Sequence, residues 1–203
     1  MRTNSGGTIS DADFLQTEIS EGVGFDSPAY ISLMQGVYDL LKRVIHPESS
    51  FEIGAGTGVL LSIMARDIPS VGIDPMQIHV DYCTGHAPHT VNCYHRMKIQ
   101  DYRFTQKFDV AISIEVFEHI PGDEVPVLLW YVAEHCRYFL FSSTPNHIPE
   151  KDDEWGHINI HSVEEWKAIF SANGWDFVTM THNPLPWSML FMSRLYDNTQ
   201  MPY

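Results

Sequence analysis

The stretch Phe51 to Arg66, FEIGAGTGVLLSIMAR, limits what this chain can fold into more than any other. A short apolar run carrying an acid gives way to Gly54, Gly56 and Gly58 at alternate positions, and an amphipathic helix follows. That pattern is a strand turning sharply into a helix. The glycines let the backbone take positive φ and let a ligand press on the main chain with no Cβ in the way. The helix aims its unpaired N–H groups, and the positive end of its dipole, at whatever fills the turn. Glycines alone would also suit an ordinary tight turn.

Spacing separates the ligands. A dinucleotide turn uses G-x-G-x-x-G to hold a pyrophosphate. Here Glu52 stands just ahead of Gly54-Ala55-Gly56-Thr57-Gly58. A carboxylate there repels a pyrophosphate and suits a ligand with an ammonium group. Downstream, SVGID ends at Asp74. A second parallel strand delivers its last side chain to the ligand cleft, and a carboxylate there can accept both hydroxyls of a ribose. Asp74 lies about 20 residues beyond the glycines, as a ribose anchor should, and Pro75 and Met76 follow it around a base. The alternative for Asp74 is a helix N-cap. FDVAISIEVFEHI, residues 108–120, reads as a central strand buried on both faces, with Glu115, Glu118 and His119 just past its carboxyl end.

These residues resemble the class I S-adenosylmethionine (SAM)-dependent methyltransferases. EIGAGTG resembles their motif I, E/D-x-G-x-G-x-G, and FDVAISIEVFEHI a frequent form of motif IV. The resemblance implies that Glu52 and Gly54, Ala55, Gly56, Thr57 and Gly58 hold the methionine moiety. It gives Asp74 the ribose, Pro75, Met76 and Asp101 the adenine, and Glu115 with Val116 the cofactor's surroundings. A helix over 28–45 either forms part of a lid or only packs on the sheet.

A narrower resemblance comes from Glu115-x-x-Glu118-His119, Ser143-Thr144-Pro145-Asn146, and histidines ahead of a Glu165-Trp166 helix. It is similar to two groups of O-methyltransferases, one making ubiquinone and one acting on the 3′-end 2′-hydroxyl of small RNAs. The likeness implies a divalent cation (Mg, Mn or Zn) on Glu115, Glu118, His119 and His157, with His161 and His147 behind. Such a cation lowers a hydroxyl's pKa and aims its oxygen at the methyl. The residues equally allow a metal-free route, with His119 or His157 as base beside Glu118. Trp155, Trp187 and Tyr30 are candidate pocket walls, or simply core.

The balance of 12 Lys and Arg against 26 Asp and Glu, net −14, disfavours a nucleic-acid acceptor. Cys83, Cys93 and Cys136 form no CxxC pair and read as reduced thiols. With no leader and no membrane-length apolar run, a cytoplasmic location is the default. Residues 1–26 read as a flexible segment and 27–203 as the methyltransferase domain.

Helices are expected at 28–45, from the glycine turn to 66, and at 76–86, 122–137 and 162–174. Strands are expected at 70–74, 91–95, 108–114, 138–144, 175–182 and 189–196. The fold class is α/β, a Rossmann-like doubly wound seven-stranded mostly parallel sheet with a C-terminal antiparallel hairpin. The function expected is methyl transfer from SAM to a hydroxyl of a small molecule. Transfer to nitrogen, carbon or an RNA 2′-hydroxyl, a non-catalytic SAM-binding subunit, and a nucleotide-dependent oxidoreductase stay open.

Overall fold

The computed structural model describes residues 9–145, 152, 155–178, 183–185 and 188–195. Seven strands appear there: β1 (Ser50–Ile53), β2 (Ser70–Asp74), β3 (Tyr94–Arg96), β4 (Phe108–Ile114), β5 (Cys136–Ser143), β6 (Trp175–Val178) and β7 (Met189–Leu195). They join in the order β3-β2-β1-β4-β5-β7-β6. The first five run parallel. β7 pairs antiparallel with both β5 and β6. The helices are α1 (Asp11–Ser20), α2 (Pro28–Val44), α3 (Val59–Met64), α4 (Gln77–His86), α5 (Val125–Ala133) and α6 (Val163–Ala172).

Alternation along the central strands builds a core on each face. Ala111, Phe139 and Phe141 pack with Leu128, Leu129 and Val132 of α5 and with Trp166 and Phe170 of α6. Their neighbours Val110, Ile112 and Leu140 point the other way, onto Met34, Val37 and Leu41 of α2 and Leu60 and Met64 of α3. Both faces are covered, which is why FDVAISI reads as a near-continuous apolar run. Each large side chain so buried stabilises the fold by roughly 1.5–3 kcal/mol.

Local signals set the helix ends. Ser27 accepts the Tyr30 N–H and Pro28 opens α2. Ser162 and Glu165 make both bonds of a capping box ahead of α6. Elsewhere tertiary pairing overrides the pattern. β5 starts at Cys136, opposite Phe108, so α5 ends sooner than the apolar spacing to 137 suggests. A 3-10 turn at Pro88–Thr90 displaces β3 to Tyr94–Arg96.

The expectation of a flexible 1–26 segment meets a helix. Ser10 caps α1 by accepting the Asp13 N–H, Asp11 and Asp13 complement its dipole, and Phe14, Leu15 and Glu18 are buried on one face. Residues 1–8 lie outside the described residues, as do His147, Asn146, Trp187 and the far end, 179–182, of the expected sixth strand. Cys83, Cys93 and Cys136 are free thiols. Among the described residues no helix is long and apolar enough to cross a membrane.

Candidate functional site

Strand order reverses between β1 and β4, and at that switch point their carboxyl ends open a cleft of about 1220 Å³. Gly54, Ala55, Gly56 and Thr57 line one wall, with φ of 64° at Gly54 and 53° at Gly56. A Cβ on Gly54 would stand 2.5 Å from Val116 Cγ2, so the turn after β1 and the turn after β4 touch. Gly58 (φ 74°) has a different job. It faces α4, where a Cβ would collide with Cys83 Sγ, and it is not among the cleft-lining residues.

Glu52 lies on β1 between Gly72 and Ile112, lines the cleft and is only 4% exposed. Burial first, and the charge of Asp74 second, raise its carboxyl to about 8, against a hydrogen bond from the Leu61 backbone that favours the anion. Its other oxygen, Oε2, is buried with no hydrogen-bond partner. Such an atom is costly unless something arrives to satisfy it.

Asp74 ends β2 at the cleft floor. Its Oδ2 accepts the Gly56 N–H at 3.1 Å and its Oδ1 the Met76 N–H at 2.8 Å. Met76 and Pro75 line the same wall. Sequence reasoning missed what holds Asp74 from behind. His79 Nδ1 stands 3.1 Å from Asp74 Oδ1, as an ion pair rather than an aligned hydrogen bond. His79 Nε2 is 2.6 Å from Glu18 Oε2 on α1. Burial alone would discharge His79, but the close carboxylates of Asp74 and Glu18 push it up to about 10. The available signals were His79 on the first turn after Asp74 and the helical spacing of Phe14, Leu15 and Glu18.

Asp101 is not brought to the cleft. It closes a 3-10 turn and is exposed, while Met97, Lys98, Ile99 and Gln100 line the wall instead. With three residues to a turn, successive side chains point about 120° apart, and Asp101 falls on the solvent side.

At the other end of the cleft His119 and His157 line the wall, and Glu118, buried and not itself a lining residue, stands with them, one ligand-type atom from each within 4.8 Å of the others. The rings of His119 and His157 lie 5.0 Å apart. Glu118 is fully buried and its backbone carbonyl accepts the Ile158 and Asn159 N–H groups, which fastens the His157 segment beside it. Burial, then the charge of Glu115, raise the Glu118 carboxyl well above its usual range. Burial, then His157, push His119 down to about 4, so its imidazole is neutral. Asp152 Oδ1 holds His157 Nδ1 at 3.0 Å, another partner the sequence did not announce.

Two expected ligands go elsewhere. Glu115 adopts φ 54°, and its carboxylate takes hydrogen bonds from the hydroxyls of Ser142, Ser188 and Thr144. Three donors turn it away from the two histidines. The expected four-ligand set therefore reduces to Glu118, His119 and His157, although Glu115 still lines the cleft. His161 binds Asn159 Oδ1 at 2.9 Å and packs edge-on to Trp166, serving the α6 junction. Trp155 and Tyr30 do line the cleft.

This fold and site define a class. A family profile described as a methyltransferase domain matches residues 32–180, and the chain belongs to that family. It is a SAM-dependent methyltransferase. Solved structures share the fold at low identity. DesVI of Streptomyces venezuelae is 15% identical, with TM-score 0.68 over 94% of this chain and 100% of that one. NodS, an N-methyltransferase of Bradyrhizobium japonicum in complex with S-adenosylhomocysteine (SAH), is 14% identical, with TM-score 0.67 over 90% and 98%. The magnesium protoporphyrin IX methyltransferase of Synechocystis with bound SAM is 16% identical, with TM-score 0.65 over 94% and 87%. No protein with a curated description matches the sequence.

Proposed function

We propose that this protein moves the methyl group of SAM to a hydroxyl of a small molecule. The observation that carries the cofactor reading is the unpartnered, buried Oε2 of Glu52 on the cleft wall beside a turn that only glycines can make. The α-ammonium of SAM supplies the missing donor. Asp74 accepts ribose hydroxyls, and Met76 and Ile99 flank the adenine. SAM supplies an electrophilic methyl, so the protein's task is alignment and removal of one proton. The surroundings of the cluster support the hydroxyl: the neutral imidazole of His119 can accept a proton, and His157 is held by Asp152 with Nε2 left for a ligand.

The cluster also fits a divalent cation in its donors, one carboxylate and two imidazoles, with the carboxylate–histidine support that metal-binding histidines use. A bound cation would acidify the acceptor hydroxyl. Glu118, His119 and His157 would hold it, and Glu115 would brace Glu118 from behind. Without a cation, His119 takes the proton directly. The net charge of −14 supports a small-molecule acceptor over a nucleic acid, and three free cysteines support a reducing, cytoplasmic setting.

The deciding experiment is calorimetric titration of SAM into EDTA-stripped protein, repeated with magnesium, manganese and zinc alone. A SAM isotherm, together with a metal isotherm lost in Glu118→Ala, is the expected result. SAM binding with no metal isotherm removes the cation and leaves His119 as base. No SAM binding refutes the cofactor reading.

A further inference from the structure

Helix α1 brings an acid to the cofactor cleft that motif reasoning does not reach. Glu18 is only 8% exposed and lines the cleft. Its Oε2 is engaged by His79 Nε2 at 2.6 Å. Its Oε1 has no partner among the described residues. That oxygen lies 3.6 Å from the point where a Cβ on Gly56 would stand, directly over the glycine turn. On the far side of His79 is Asp74. Two carboxylates from separate elements, α1 and β2, thus flank one imidazolium, and both line the same cleft.

Glu18 Oε1 therefore opens to the cleft as an acceptor that no protein group among the described residues occupies, and a ligand hydroxyl seated there takes the place of solvent as its donor. A cation suits poorly, because His79 already neutralises one of the two charges. A pair of neighbouring hydroxyls suits well, since each can donate to one carboxylate. We infer that Glu18 is a ribose ligand of the cofactor, working with Asp74, and that cofactor binding draws α1 onto the cleft. Phe14, one turn earlier on α1, contacts the rings of His79, His119 and Trp155, so the same closure sets a wall against the acceptor side. The inference rests on the reading of Asp74 as ribose anchor.

The test is calorimetry of SAH, and of SAH analogues lacking the 2′- or the 3′-hydroxyl, with wild-type protein and Glu18→Gln. Glu18→Gln keeps the side-chain shape and a contact to His79. A charged hydrogen bond lost here weakens SAH about tenfold, and the penalty for removing one of the two hydroxyls disappears in the variant. If the variant weakens all three ligands equally, or none, Glu18 is not a ribose ligand and the inference falls. Amide exchange of wild-type residues 11–20 gives an independent reading. Slower exchange on adding SAH is expected, and no change overturns the closure of α1. Wild-type protein that binds no SAH refutes the cofactor reading itself, a different outcome from either.

Discussion

The imidazoles of His119 and His157 face each other at 5.0 Å and 59°, although helix α5 and strand β5 separate them in the chain. One is neutral because it is buried beside the other. The other is oriented by Asp152. The pair meets only because the Glu118 carbonyl ties Ile158 and Asn159 back to the end of β4.

Replacing His119 should separate binding from chemistry. Its ring packs beside His157 and Phe14, in the cluster proposed to take the acceptor's proton. In His119→Ala, SAH affinity is expected to stay within experimental error while kcat falls by about 10²–10⁴. Equal loss of binding and turnover would show that the ring supports the cofactor instead.

Asp74 carries more than one role at once. It accepts backbone N–H groups of Gly56 and Met76 and charges His79. Charge-assisted bonds to ribose are each worth ~1.5–3 kcal/mol. Asp74→Ala is therefore expected to raise the Kd for SAH about 100-fold or more, measured by calorimetry. Unchanged affinity would remove Asp74 from the site.

The proposed pairing of Glu52 with the SAM ammonium predicts pH-dependent cofactor binding. Its folded pKa, about 8, is above the usual carboxyl range, chiefly through burial. The folded state therefore holds this proton more tightly than the unfolded chain. The corresponding stability of the empty protein is complete at acid pH and declines as pH rises towards 8, by up to about 1.4 kcal/mol per unit. An ammonium needs the carboxylate, so SAM binding at neutral pH should release about one proton, and none well above pH 8. Calorimetry in phosphate and in Tris reads this directly. Identical heats in the two buffers would contradict it.

Two glycines should respond in opposite ways. At Gly58 a methyl meets Cys83 at positive φ, so Gly58→Ala combines left-handed strain of ~1–2 kcal/mol with overpacking of ~1–3 kcal/mol. At Gly85, inside α4, a Cβ would meet nothing within 4 Å, and Gly85→Ala should stabilise by ~0.5–1 kcal/mol. Thermal unfolding of both variants checks the contrast. Similar shifts would mean the turn tolerates a side chain.

Much of this is legible in the sequence. The glycine turn, the acid ending β2 and the apolar run of β4 each depend on residues adjacent in sequence. So do Pro28 behind Ser27 and the Ser162–Glu165 box, whose bonds span one helical turn. Asp101 went astray because a short 3-10 turn has no apolar periodicity to tell its inner side from its outer. Glu115 looked like a metal ligand until the hydroxyls of β5 and Ser188, distant in sequence, claimed its carboxylate.

The sequence alone determined the strand–turn–helix elements and the chemical types gathered at their ends, because backbone sterics and side-chain alternation act over a few residues. Only the tertiary structure decided which groups meet. Glu18 on His79, Asp152 on His157, and Cys83 against Gly58 join segments whose separation along the chain carries no periodic signal. Packing also fixed charge states: burial holds Glu52 towards its neutral form, and Asp74 and Glu18 keep His79 protonated against its own burial. Desolvation and neighbouring charge are properties of the packed interior, and no residue carries them by itself.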